Sequence, residues 1–455
     1  MSLFKRICRG LIQLELLWLF VLTPFLFFPS PQRLWAVVAI PSLWLLRWIA
    51  WKRIVPRTPL DWPLLLMLLM IGVSLWATFD PLFSLPKVTG ALLGIAFYYA
   101  LVEVSKEQRS LTISLLVLIL VTLGITGLSL IGTQWAGKFS VIAAITNRIP
   151  QLVQNVPGSP ASGFNPNSVA GALLFTFPVL TVLVWPFKRG RATTLKGLTG
   201  WRYVLFVVLT CLSFFLIGGT LVLTQSRGGY LGMLVGVSCL LILPRRGLFM
   251  LATTLVLLVG GIVWNQPELI EPYFSEAAPN ALESGVNSLQ GRIEIWSRAW
   301  YGIQDFPFTG MGMGTFRRVV PILYPLFTIS PDADIGHAHN QWLAAGVDLG
   351  IPGLVSYIAL WLGSAGMLWQ VWQVSLNAND RLISLGLASG LAAHFTWGVF
   401  DANVLGSKAG FVFWLMLGTI ASLHTLTFSY LSRPIPTPKG HLGDSSDSEM
   451  ISYNT

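Results

Sequence analysis

Between residues 11 and 430 the chain repeats one pattern, an apolar run of about 17 to 25 residues followed by a short polar link, and this pattern constrains its fold most. A helix of that length matches the hydrocarbon thickness of a bilayer. Such runs lie near 11–28, 34–50, 61–78, 85–103, 110–132, 167–186, 203–224, 228–243, 247–264, 353–373, 382–400 and 409–430. Only 11% of residues are charged, 54% are apolar and the mean hydropathy is +0.68, so lipid must be the solvent for most of the chain. Lipid offers no hydrogen-bond partners, so each run satisfies its own backbone as a helix. The expected fold class is an all-α integral membrane protein with about 12 transmembrane helices and a large helical loop outside the cytoplasm. Many Trp and Phe residues flank the runs, as headgroup-level rings do.

Lys5, Arg6 and Arg9 precede the first run as in a signal peptide, but no clear small-residue cleavage site comes after it, so this run is read as an uncleaved helix. Starting in the cytoplasm and alternating, about 19 Lys and Arg fall inside and about 10 outside. The inside groups are Arg47, Lys52, Arg53 and Arg57, then Lys188, Arg189, Arg191, Lys196 and Arg202, then Arg245 and Arg246. Both termini are therefore expected in the cytoplasm. The net charge of +10 reflects topology, and no nucleic acid partner is implied. Cys8, Cys211 and Cys239 offer neither a disulfide framework nor zinc-ligand spacing.

The chain divides into five regions. Residues 1–132 carry the first five helices, 133–264 the next four with an outer loop, 265–352 an outer loop or lid, and 353–430 the last three helices. Residues 431–455 form a polar tail too poor in apolar side chains to pack. The lid holds Trp296, Trp300 and Tyr301 and an amphipathic stretch from Arg292 to Gln304. Pro352 stands between Gly350 and Gly353, and the run 353–373 is long enough to span alone, which predicts 338–350 as a separate helix at the outer surface.

Three constellations share the outer face. Thr224-Gln225-Ser226-Arg227-Gly228-Gly229 links two apolar runs, and an arginine so near hydrocarbon is costly unless it snorkels or binds an anion. Gly291-Arg292-Ile293-Glu294-Ile295-Trp296 leads into Asp305 and the turn Gly310-Met311-Gly312-Met313-Gly314. No βαβ unit surrounds these glycines, so they are not a nucleotide fingerprint. His337-Ala338-His339-Asn340 then precedes Asp348-Leu349-Gly350-Ile351-Pro352-Gly353. Two histidines two apart on a helix point to different faces and no cysteine or carboxylate cluster accompanies them, so neither a metal nor a cofactor is expected. An imidazole beside arginines suits proton transfer or phosphate binding.

Taken together, Ser226-Arg227-Gly228-Gly229, Gly291-Arg292 through Asp305, Pro307, Gly310 and Gly312, and His339-Asn340 with Leu343, Gly350, Ile351 and Gly353 resemble the O-antigen ligase/polymerase family over residues 160–405. Gly163-Phe164-Asn165-Pro166-Asn167 and Asp401 add to the likeness, and Asp348 departs from it, since many members carry glutamate there. The resemblance implies a metal-independent glycosyltransferase of the bacterial inner membrane. Such an enzyme moves a glycan from a polyprenyl diphosphate carrier, such as undecaprenyl diphosphate, to a hydroxyl of a glycan, lipid or protein acceptor on the periplasmic side. Arg227 and Arg292 would then clamp the diphosphate, and His339 would be the base or an orienting group, with His337 as its substitute. Asn340, Asn165 and Asp401 would contact substrate. Two alternatives stay open within the family, a polymerase and an inorganic carbon (bicarbonate) transporter, as some members from photosynthetic microbes are described. Transport is disfavoured by an apparent lack of paired intramembrane carboxylates and of matched broken helices.

Overall fold

The computed structural model describes residues 3–135, 137, 139–153, 163–184, 200–245, 289–330, 333–403 and 405–431. The ninth apolar run, residues 265–288 of the lid and the tail from 432 lie outside the described residues. Sixteen helices are described. The N-terminal group comprises α1 (Leu3–Gln13), α2 (Glu15–Phe27), α3 (Trp35–Trp51), α4 (Asp61–Ala77), α5 (Pro81–Gln108) and α6 (Thr112–Gly132). The middle group comprises α7 (Ser140–Thr146), α8 (Pro166–Leu174), α9 (Phe177–Val184), α10 (Trp201–Leu223) and α11 (Arg227–Ile242). The lid contributes α12 (Leu289–Asp305) and α13 (Phe316–Leu323), and the chain closes with α14 (Gln341–Val374), α15 (Ala378–Gly398) and α16 (Phe411–Leu431). The described residues contain no strand, only an isolated bridge between Thr133 and Phe164.

Six of these helices are long and apolar enough to cross a membrane, and the count reaches eight if each of two bent pairs is one span. α4 and α11 are shorter apolar helices, and α15 coincides with the eleventh run. The first run is not one straight helix, because the chain breaks at Leu14 and α1 meets α2 at 63°. The sixth run bends by 44° between α8 and α9. Pro41, by contrast, is accommodated inside a continuous α3.

Small residues set the packing. The Trp414 indole of α16 covers Gly94 of α5, where a Cβ would collide, and Gly418 meets Leu101 and Tyr98, where a Cβ would be tight. Gly232 and Gly236 let α11 approach the Ala393 turn of α15 in the same way. α14 breaks at Gly350, whose φ of 69° and ψ of −178° suit glycine alone. The lid docks at this break, where Met311 N–H donates to Val347 O and Ile351 N–H to Pro307 O, both at 2.7 Å. The segment from Gln341 to Gly350 is thus a separate helical piece, as read from the sequence, but residues 344–350 are buried and do not lie at the surface.

Charged and polar groups gather at the two ends of the bundle. At one end Arg47 pairs with Glu15 in a buried ion pair, Arg53 reaches Glu103 at 2.5 Å, and Asp61 accepts from Thr58 and Tyr99. Glu15 and Glu103 are both buried carboxylates within apolar helices. The sequence reading saw neither these nor the two bends, because each charge is isolated in its own run and pairs only in space.

Candidate functional site

At the other end of the bundle, α14 begins at Asn340, whose side-chain Oδ1 accepts from Trp342 N–H at 2.9 Å and Leu343 N–H at 3.1 Å. This N-cap satisfies two of the free amides of the first turn. The Asn340 amide also donates to Val399 O at 3.0 Å, tying the start of α14 to the end of α15. The Asn340 side chain is thus engaged both in capping α14 and with Val399, directly beside His339. His339 has a φ of 46°, an uncommon conformation for a residue with a Cβ.

Residues 337–339 lie in a turn, not a helix, which corrects the expectation that the two imidazoles diverge. Their ring centroids are 4.5 Å apart. His339 Nδ1 lies 3.2 Å from Asp401 Oδ1, and His337 Nε2 lies 3.8 Å from the same oxygen. His339 N–H also donates to His337 Nδ1 at 3.1 Å. That bond assigns the neutral His337 proton to Nε2, facing the carboxylate.

Asp401 comes just after α15, and its Oδ1 accepts from Ala402 N–H at 2.9 Å. Burial would raise its pKa, but the hydrogen bond from His339 and the nearby positive charge, that of Arg292 included, together hold it well below the usual carboxylate range. Burial, and then the charge of His339, lowers His337 to about 3 against the pull of Asp401, so its ring is neutral. His339 has no partner at Nε2 among the described residues. An imidazole held at Nδ1 by an ionised carboxylate can accept a proton at Nε2.

The two arginines arrive from different elements. Arg292, in the first turn of α12, donates to the Phe400 carbonyl beside Asp401. It makes no other hydrogen bond among the described residues, so most of its donors remain open. Arg227 opens α11, which Ser226 caps by accepting from Gly229 N–H at 3.1 Å. Its side chain is exposed, and the adjacent Gly228 sits against Trp397 and Phe400. The same turn, 397–401, thus gathers the α11 N-terminus, Arg292 and His339. The positive end of α11 adds to the cationic field there. Asn165 is an exposed N-cap of α8, and Asn403 Nδ2 donates to Ser168 O at 3.0 Å, which places that helix start beside the same turn.

The ligand atoms of His337, His339 and Asp401 lie within 4.8 Å of one another, close enough to raise the question of a metal. The tautomer speaks against one, since a metal would need the bare Nε2 that His337 protonates. Sequence reasoning had named Asp401 only as a substrate contact and had missed the Phe400 carbonyl and the Trp296 indole, which donates to His339 O at 3.4 Å. A backbone carbonyl leaves no trace in a sequence.

Residues 212–358 match the family model of the O-antigen ligases. The match includes Arg227, Arg292, His337, His339 and Asn340, and it stops short of Asn165 and Asp401. A search of curated proteins gives no match to the chain.

Proposed function

We propose, from an O-antigen ligase domain at residues 212–358, that the chain is a membrane glycosyltransferase that moves a glycan from a polyprenyl diphosphate to an acceptor hydroxyl without a metal. The His339–Asp401 dyad with Arg292 anchored one residue away on Phe400 carries this reading. His339 Nε2 takes the acceptor proton while the acceptor oxygen bonds the anomeric carbon. The bond from that carbon to the diphosphate oxygen breaks, and the electron pair leaves with the diphosphate. Arg292 and Arg227 stabilise the charge growing on that leaving group. Asp401 steadies the imidazolium. His337, kept neutral with its proton toward Asp401, orients the dyad.

The face bearing this site is the periplasmic side of a bacterial inner membrane, with both termini in the cytoplasm. This orientation is inferred from the lysine and arginine distribution. The acceptor is a glycan, lipid or protein, and repeat-unit polymerisation uses the same chemistry. Purified protein given a polyprenyl-diphosphate-linked glycan, an acceptor extract and a chelator should release free polyprenyl diphosphate. Arg292→Lys keeps the charge but loses the planar fork, and His339→Ala loses the base, so each should depress that release steeply.

Bicarbonate transport gains from the buried Glu15–Arg47 pair and the two bent helices. That pair belongs to the opposite end of the bundle from His339. Proteoliposomes that accumulate labelled bicarbonate, from protein that consumes no donor, would favour transport.

A further inference from the structure

Lys87 lies about 9 Å along α5 from its first residue, at the same end of the bundle as His339. Its stem runs beside Gly314 of the lid turn, where a Cβ would come within 3.0 Å of Lys87 Cγ. The φ of Gly314 is 76°, so this position both needs glycine and leaves room for the lysine. A Cβ at Gly336, next to His337, would likewise lie 3.0 Å from Arg317 Nη2. Two glycines therefore make room for two cationic side chains, at the stem of Lys87 and at the head of Arg317.

Lys87 interacts electrostatically with Asp348, Arg317 and Lys408, and the charges of Lys87 and Arg317 both reach His337. Arg317 is paired with Asp334 at 2.7 Å, and Lys408 Nζ stands 3.9 Å over the Phe28 ring. Asp348 is buried, with Oδ1 accepting from Gly314 N–H at 3.0 Å and Oδ2 without a hydrogen-bond partner. Lys87 is half-buried and makes no hydrogen bond or ion pair among the described residues. An ammonium so placed has lost much of its water and has in return only the longer-range attraction of Asp348, with no direct ion pair among the described residues.

We propose that Lys87, with Arg317 and Lys408 beside it, is a second anion subsite that holds the acceptor by a phosphate or diphosphate group, next to His337 and apart from Arg227 and Arg292. This rests on the transferase reading above and assigns the acceptor a class, a phosphate-bearing molecule. Asp348 limits the net charge of the subsite, which favours release of the anion after transfer. Two sources offer the same chemistry, a phosphorylated glycan and a second polyprenyl diphosphate chain carrying the growing glycan.

The subsite is tested first without catalysis, by equilibrium binding of labelled inorganic pyrophosphate to the full-length protein in detergent. Wild type should bind two equivalents, Lys87→Gln one, and the charge-preserving Lys87→Arg two, which controls for folding. One equivalent in wild type, or two in Lys87→Gln, overturns the proposal. In the transferase assay Lys87→Gln should raise the acceptor KM by about 10- to 100-fold, as loss of a charged hydrogen bond does. Phosphatase treatment of a phosphoglycan acceptor should erase that difference. A Lys87 effect on a polyprenyl diphosphate acceptor alone would identify the second source. A rise in donor KM instead would assign Lys87 to the leaving group and refute the proposal. If wild type consumes no donor, the transferase reading fails while the pyrophosphate stoichiometry still decides the subsite.

Discussion

Replacing Asp401 with Asn preserves volume and an acceptor oxygen but removes the charge facing His339 Nδ1. Two unit charges 3.2 Å apart attract by ~5 kcal/mol at an effective dielectric of about 20. The side chains of His339 and Asp401 keep 14% and 7% of their exposure, so solvent trims this to ~4 kcal/mol. In the proposed transfer His339 takes up the acceptor proton as the new bond forms, so the loss falls on the transition state and not on the bound donor. An Asn amide can also turn its NH2 toward Nδ1 and move the ring proton to Nε2, the wrong tautomer for a base. Asp401→Asn should therefore lower the single-turnover rate of polyprenyl diphosphate release by about 1,000-fold, with donor affinity changed by less than about threefold. Saturating donor and a thermal-melting control separate chemistry from folding. A fall of less than about tenfold in a well-folded variant would show that His339 does not depend on the carboxylate, and the proposed base would have to be given up.

Three further outcomes test the structure itself. His337 charges near pH 3 in the folded protein and near 6.5 when unfolded, so the unfolded chain binds more protons between these values and stability falls as pH drops through that window. His337→Gln should lose less melting temperature than wild type between about pH 6.5 and pH 4, and parallel losses would remove the neutral His337 ring from the account. Gly350→Ala puts a Cβ 2.8 Å from the Phe308 carbonyl at a φ of 69°, and should cost about 2–3 kcal/mol in reversible unfolding; an unchanged midpoint would contradict the docked lid. Arg47→Met strands the buried Glu15 carboxylate and should cost about 3–5 kcal/mol, most of it recovered when Glu15→Gln is added, whereas simple additivity would mean the pair is not coupled.

The apolar runs were legible because bilayer thickness fixes helix length, and the described helices track them closely. Only one of their bends was legible. Leu14 carries no breaker, whereas Pro178, the second residue of α9, lacks the N–H that would bond Leu174 O at the end of α8, a signal the sequence reading passed over. The sequence showed Arg227, Arg292 and His339 as polar islands on one face, since a charge near hydrocarbon is rare enough to be noticed. It misjudged the two histidines because a helical spacing was assumed where His339 takes a left-handed turn. Lys87 was overlooked although a signal existed. It is a lone lysine near the outer end of an apolar run, on the side that the positive-inside count leaves poor in basic residues.

The glycines of the Gly310–Gly314 turn explain why a lid and a membrane bundle can share one site. Gly310 fits against the Asp348 and Gly350 backbone, Gly312 against Thr78, and Gly314 against Lys87, each with positive φ. Ser74 of α4 donates to Asp348 O at 2.9 Å and accepts from Met313 N–H at 2.8 Å, so the turn is hydrogen-bonded to the bundle as well as packed on it. Both ends of α12 are therefore pinned, at Arg292 to Phe400 and, just beyond its last residue, through this turn to α4, α5 and α14. A guanidinium on a loosely tethered loop would give up much of its binding energy to ordering; one carried by a helix fixed at both ends does not. The Gly-x-Gly-x-Gly run thereby pins the far end of the helix that carries Arg292 beside the His339–Asp401 dyad.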